Sequence, residues 1–224
     1  MSQNNSIYLL SILGTLAPKT IEAARLAHNQ TAGLPDNIAA ARALGDLSHM
    51  VYVPFGPASE SGQFLILDQW NSLEGLNKFF ADPHVQEGGG LIFSQRDPVV
   101  WAPAEGFSGY HCPAPFDRKD RIVAVVTGKV KSRPEAQAVH NAIVAQSMNA
   151  ARMAGDMEHE AYFRLSPPGA PESLEFLARD VWYDPQGMAR LYADPAFTSG
   201  LAQLFVAPPM STVWIHPAGS WAEW

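Results

Sequence analysis

Ala40-Ala41-Arg42-Ala43-Leu44-Gly45-Asp46-Leu47-Ser48-His49, with His28-Asn29 ahead of it, returns later as Ala150-Ala151-Arg152-Met153-Ala154-Gly155-Asp156-Met157-Glu158-His159, with His140-Asn141 ahead of that. Neither helix propensity nor amphipathic patterning asks for His, Asn, Arg, Gly, Asp and His in that order. The echo therefore marks a repeated unit with a polar cluster in each copy. Gly45 is the residue type that most easily takes the left-handed conformation after a last helical turn, so a helix should end there and a strand, Leu47 to Val53, should follow.

Outward from this stretch, the first half reads as a complete unit. Ile7 to Leu13, closed by Gly14, is too short for a helix and reads as a buried strand. A helix after Pro18 should stop near Gly33-Leu34-Pro35, because proline cannot continue it; Asp36 can cap a second helix, Asn37 to Leu44. Gln63 to Trp70 is apolar on both faces and should be a strand buried on both. A helix from Asn71 or Ser72 breaks at Asp82-Pro83, another runs on to Phe93 through a weak Gly88-Gly89-Gly90 interior, and Val99 to Trp101 is a last strand. The second half restarts the pattern: a strand at Ile122 to Thr127, a helix from Pro134 containing His140, then strands at Met157 to Leu165, Phe176 to Trp182 and Val213-Trp214. The two copies are offset by 110 residues at His49/His159 and 112 at Trp70/Trp182.

The order strand, helix, strand, strand, helix, strand is the split βαβ arrangement of a ferredoxin-like unit. The expected fold class is α+β, with residues 1–103 and 120–224 as two tandem ferredoxin-like repeats packing sheet to sheet as a pseudo-dimeric barrel within one chain. Residues 104–119, rich in Pro and Gly, read as a linker.

Composition narrows the partners. A net charge of −7 over 224 residues, without a Lys/Arg cluster, argues against nucleic acid and against anionic membrane surfaces. No run of about eighteen apolar residues suggests a spanning helix, and Ile7 to Leu13 lacks the basic flank of a signal peptide. A single cysteine, Cys112, fits a reducing compartment, so a cytoplasmic protein is expected.

With its tandem units, Asp-x-Trp strand ends (Asp68/Trp70, Asp180/Trp182), aromatic helices and Ala-Asp-Pro breaks at residues 81–83 and 193–195, the chain resembles the dimeric α+β barrel superfamily, nearest to antibiotic biosynthesis monooxygenases and their stress-responsive relatives. That resemblance implies pockets between each sheet and its helices. It also implies a cofactor-independent monooxygenase-like enzyme acting on an aromatic or enolisable small molecule.

The candidate site follows from the repeated cluster. Asp46 and Asp156, past a helix C-terminus, need a cationic or hydrogen-bonding partner. In the catalytic reading Asp46 orients His49 as general base, Asp156 does so for His159, and Arg42, Arg152 or the Asn residues stabilise an oxyanion. In the structural reading the same residues clamp helix to strand in each copy. His28, Asn29, His140 and Asn141, on the first helices, and Trp70, Trp182 and His84 are the expected substrate-binding residues; His84, whose counterpart in the second repeat is Ala196, would distinguish the halves if only the first is active. No metal or cofactor is called for, although His28, His49 and Asp46 could form a two-histidine, one-carboxylate set. The rival function is a non-catalytic or stress-response barrel that binds a small hydrophobic ligand or haem. A homo-oligomer is compatible with either.

Overall fold

The computed structural model describes residues 6–112 and 121–224. Its chain divides into two compact units, residues 1–102 with 216–224, and residues 103–215.

In the first unit β1 (Tyr8–Leu16), β2 (Asp46–Pro54), β3 (Gln63–Trp70) and β4 (Phe93–Pro103) are antiparallel in the order β4-β1-β3-β2. Leu9, Leu10, Val51, Phe64, Leu65 and Ile66 are buried, so β3 is covered on both faces, as its continuous apolar run requires. The helices are α1 (Ile21–Asn29), α2 (Pro35–Ala43), α3 (Leu73–Phe80) and α4 (Pro83–Ile92). Thr20, Ser72 and Asp82 cap α1, α3 and α4 through their side chains. The strand expected at Val99 to Trp101 begins at Phe93, since α4 passes straight into β4.

The second unit repeats the order. β6 (Ile122–Lys129), β7 (Asp156–Arg164), β8 (Glu175–Trp182) and β9 (Met210–Ile215) join as β9-β6-β8-β7, with α5 (Arg133–Met153), α6 (Pro185–Tyr192) and α7 (Pro195–Leu204) between them. Here a single 21-residue helix, α5, stands where the first unit has two of nine residues each. Gly33-Leu34-Pro35 makes the difference, because the second half has no proline there.

The segment read as a linker departs from expectation. Residues 103–112 belong to the second unit, where β5 (Tyr110–His111) pairs with β7 in the register Tyr110↔His159. Residues 113–120 lie outside the described residues. The segment after β9, residues 216–224, belongs to the first unit and pairs with β2: His49 N donates to Trp224 O at 2.8 Å and Trp224 N to His49 O at 3.3 Å. Each unit thus has an arm laid along its second strand. The signal was in the sequence. Pro103-Ala104, Phe107 and Tyr110 recur 114 residues later as Pro217-Ala218, Trp221 and Trp224.

Candidate functional site

Gly45 and Gly155 both take φ +105, and at Gly45 a Cβ would lie 2.3 Å from Asn71 Oδ1. These glycines turn the chain from helix into strand and bring Asp46 and Asp156 to the first positions of β2 and β7. Three residues on, His49 sits directly across the ladder from Asp68, as His159 does from Asp180. His49 Nδ1 lies 2.7 Å from Asp68 Oδ1, and His159 Nδ1 2.5 Å from Asp180 Oδ1. The aspartate that orients each histidine is therefore the strand residue of the Asp-x-Trp pair. The sequence reading had given that role to Asp46 and Asp156.

The other ring nitrogen of each histidine meets the helix. His28 Nε2 and His49 Nε2 are 2.8 Å apart with their rings stacked, and His140 Nε2 and His159 Nε2 are 2.9 Å apart. The arms decide where the protons lie. Ala222 N–H donates to Asn29 Oδ1 at 2.9 Å while Asn29 Nδ2 donates to Ser220 O at 2.9 Å, so the amide can face in only one direction. Its oxygen then accepts from His28 Nδ1 at 3.1 Å, which makes Nδ1 the protonated nitrogen of His28. Burial, with the neighbouring His49 charge and against the Asn29 hydrogen bond, lowers the pKa of His28 to about 3. His28 is neutral and its Nε2 is a bare acceptor. His49 must then donate from Nε2, and with Nδ1 turned to Asp68 it is an imidazolium. Burial works against that charge, but Asp68, joined by Asp46 and Glu223, outweighs it and raises the His49 pKa. Trp224 stacks on His49 at 4.6 Å and 19°, adding its π face to a cation.

The second unit repeats the relay. Ser108 N donates to Asn141 Oδ1 and Asn141 Nδ2 to Gly106 O; burial lowers the pKa of His140 to about 4, and Asp180 holds that of His159 up against burial.

Asp46 and Asp156 are 4% exposed. Burial, then the charge of Asp68 or Asp180, raises each pKa to about 8. Asp156 receives a hydrogen bond from Tyr110 Oη at 2.7 Å. The Trp224 indole lies near enough to Asp46 to favour its charged form, yet Asp46 Oδ1 and Trp224 Nε1 are both buried without a hydrogen-bond partner.

The two sites differ most in space. The first unit holds a cavity of about 540 Å³ bordered by Asp46, His49, Asp68, Phe79, Phe80 and Trp224. The matching cavity of the second unit is about 50 Å³. Side-chain size accounts for the contrast: Thr31, Ala32, Val85 and Gly89 line the first, while Ile143, Val144, Phe197 and Leu201 stand 112 residues later and fill the second. The weak glycine run of α4 leaves the first cavity open.

The remaining expected residues divide. Arg42 and Arg152 are exposed, and among the described residues neither forms a hydrogen bond or ion pair with Asp46 or Asp156; the helix end turns them to solvent, so they are not the partners expected of those carboxyls. Asn29 and Asn141 anchor the arms. Trp70 is fully buried against Phe79 and Phe80 and does not border the first cavity, whereas Trp182 borders the second. His84 stands at the mouth of the first cavity with its side chain 92% exposed. His28, His49 and Asp46 do not assemble as a metal set, because the two Nε2 atoms are bonded to each other. Among the described residues, the group close enough to share an ion is His111, Glu158 and Glu160, and Arg179 already pairs with both glutamates. The sequence reading named Asp68 and Asp180 only as part of the Asp-x-Trp strand ends, and it did not single out Tyr110, Trp221 or Trp224.

Comparisons with protein-family models and with curated proteins find no match. Solved structures do match over nearly the whole chain. An anthrone oxidase-like protein is 16% identical with a TM-score of 0.64, covering 97% of this chain and 94% of its own. A monooxygenase candidate from Fusobacterium nucleatum subsp. nucleatum is 9% identical with a TM-score of 0.65, covering 95% and 93%. A ferredoxin fold protein related to antibiotic biosynthesis monooxygenases, from Listeria monocytogenes, is 9% identical with a TM-score of 0.54, covering 96% and 97%. At these identities the likeness is one of fold, and with two units of the same strand order it gives this chain a ferredoxin-like α+β fold.

Proposed function

We propose that the chain is a monooxygenase-like enzyme that oxidises an aromatic or enolisable small molecule in the cavity of its first unit, without a bound cofactor. The observation that carries this reading is the pairing of a cavity of about 540 Å³ with a buried imidazolium and a buried carboxyl on its wall. An apolar cleft with a few convergent polar groups is the usual form of a small-molecule site, and carboxyls with raised pKa values gather at reacting centres. The anthrone oxidase-like and monooxygenase-related neighbours favour the same class. Repetition of helix, strand and arm at offsets of 110 to 114 residues supports a tandem duplication in which one copy kept its pocket.

The chemistry asked of the site is modest. An activated CH₂ gives up a proton, the resulting anion reduces O₂ and forms a C–O bond, and loss of water leaves a carbonyl: CH₂ + O₂ → C=O + H₂O. His49, charged and held by Asp68, stabilises the anion instead of acting as the base that the sequence suggested. A preorganised charge aimed at a developing anion is worth about 3–4 kcal/mol of barrier. The test is an oxygen electrode trace with dithranol, an anthrone, corrected for its own autoxidation, on protein whose absorption spectrum has been recorded first. Uptake of one O₂ per dithranol by protein free of a visible band is expected. No uptake above the blank with dithranol or with simple phenols, or uptake that tracks a haem or flavin band, would sink the reading.

A further inference from the structure

In the second unit, phenols of the chain itself meet both carboxylates beside the histidine pair. Tyr110 Oη donates to Asp156 Oδ2 at 2.7 Å and Tyr192 Oη to Asp180 Oδ2 at 2.8 Å. The corresponding residues of the first unit carry no hydroxyl: Trp224 stands 114 residues after Tyr110, and Phe80 stands 112 before Tyr192. Asp46 Oδ1 is left buried and unpartnered on the wall of the open cavity. Among the described residues, Asp68 receives no hydrogen bond beyond that of His49. Buried polar atoms are nearly always satisfied, and one that is not calls for an explanation. The second unit supplies it, since the same carboxyls are satisfied there by aromatic hydroxyls and the space is full.

We infer that the first cavity binds one planar ligand bearing a hydroxyl on an sp² carbon, a phenol or an enol, whose O–H donates to Asp46 Oδ1. In the second unit Tyr110 and Tyr192 already supply the hydroxyls, and Ile143, Val144, Phe197 and Leu201 fill the space, so the chain takes one ligand and not two. This rests on the first cavity being the substrate site.

The test is equilibrium dialysis of the full chain against 2-naphthol and against its methyl ether, which has the same ring system and no O–H. One 2-naphthol per chain is expected, with the ether bound at least tenfold more weakly, and Asp46→Ala should erase that preference. Tyr192→Ala should create a second site for p-cresol, the tyrosine side chain itself, so that the variant binds two p-cresol molecules per chain where the parent binds one. Two naphthols per parent chain, equal binding of the ether, no binding at all, or an undiminished preference in Asp46→Ala would overturn the inference. If either variant fails to fold, the stoichiometry and the ether comparison on the parent chain decide. Oxygen uptake with an unchanged naphthol preference in Asp46→Ala would refute this inference and leave the oxygenase reading intact. One-to-one, Asp46-dependent binding without oxygen uptake would do the reverse.

Discussion

The proton on His28 is set by an amide 29 residues into the chain and by a backbone segment almost two hundred residues away. Because Ala222 N–H and Ser220 C=O leave Asn29 one orientation, the relay from Asn29 through His28 and His49 to Asp68 has one arrangement of hydrogens. Nitrogen-15 shifts should find His28 neutral with its proton on Nδ1, and His49 protonated on both nitrogens at pH 7. A proton on His28 Nε2 would contradict the relay. The carboxyls predict a pH dependence of their own. Asp46 and Asp156, raised to about 8, hold a proton in the folded chain at pH values where the unfolded chain has released it. They therefore favour folding at low pH, and this is lost as pH rises toward 8. His49, raised by Asp68, has the same sign, while His28, lowered to about 3, destabilises only below its ordinary value of about 6.5. With Asp68, His49 and Trp224 facing Asp46, urea-unfolding stability should fall between about pH 6.5 and 8, by up to roughly 1.4 kcal/mol per pH unit for each carboxyl. In Asp46→Asn that slope should be shallower, and an unchanged slope would remove Asp46 from the account. The sequence made the repeated His, Asn and Asp visible but gave the orienting role to Asp46. Proximity along the chain pointed there, whereas the ladder places Asp68 opposite His49.

At the level of elements, the arms and the broken helix do most to shape the site. Each arm repeats an aromatic pair, Phe107 with Tyr110 and Trp221 with Trp224, and lays the first ring against the helix histidine, at 5.0 Å for Phe107 and 5.3 Å for Trp221. Trp221 is 7% exposed and also packs on Phe64. Trp221→Ala should cost about 3–5 kcal/mol in urea unfolding, and the His28 and His49 resonances should shift with it. A variant as stable as the parent would mean that the arm contributes no packing to the first unit. Helix and strand boundaries came mostly within a few residues of the sequence reading, because caps, prolines and alternation are local. The arms were missed because a Pro/Gly-rich stretch reads as a linker when its partner strand is far off in sequence. Only the 114-residue echo, spread over four positions, could have revealed them.

For the molecule as a whole, two units of one strand order carry one open cavity and one filled cavity. The two-unit α+β plan was legible in the sequence, because helical period, strand alternation and the repeated polar string agree with each other. The inequality of the halves was not, since it depends on which of Val85/Phe197, Gly89/Leu201 and Ala32/Val144 face inward, a question of three-dimensional packing. Among the described residues no helix is long and apolar enough to cross a membrane. If the reaction takes place in the open cavity of the first unit, closing that cavity must stop it. Val85→Phe gives α4 the residue that closes the second unit, and the rate of oxygen uptake with dithranol should fall at least tenfold from that of the parent chain, with the melting temperature nearly unchanged. An undiminished rate in the substituted chain would place the reaction elsewhere.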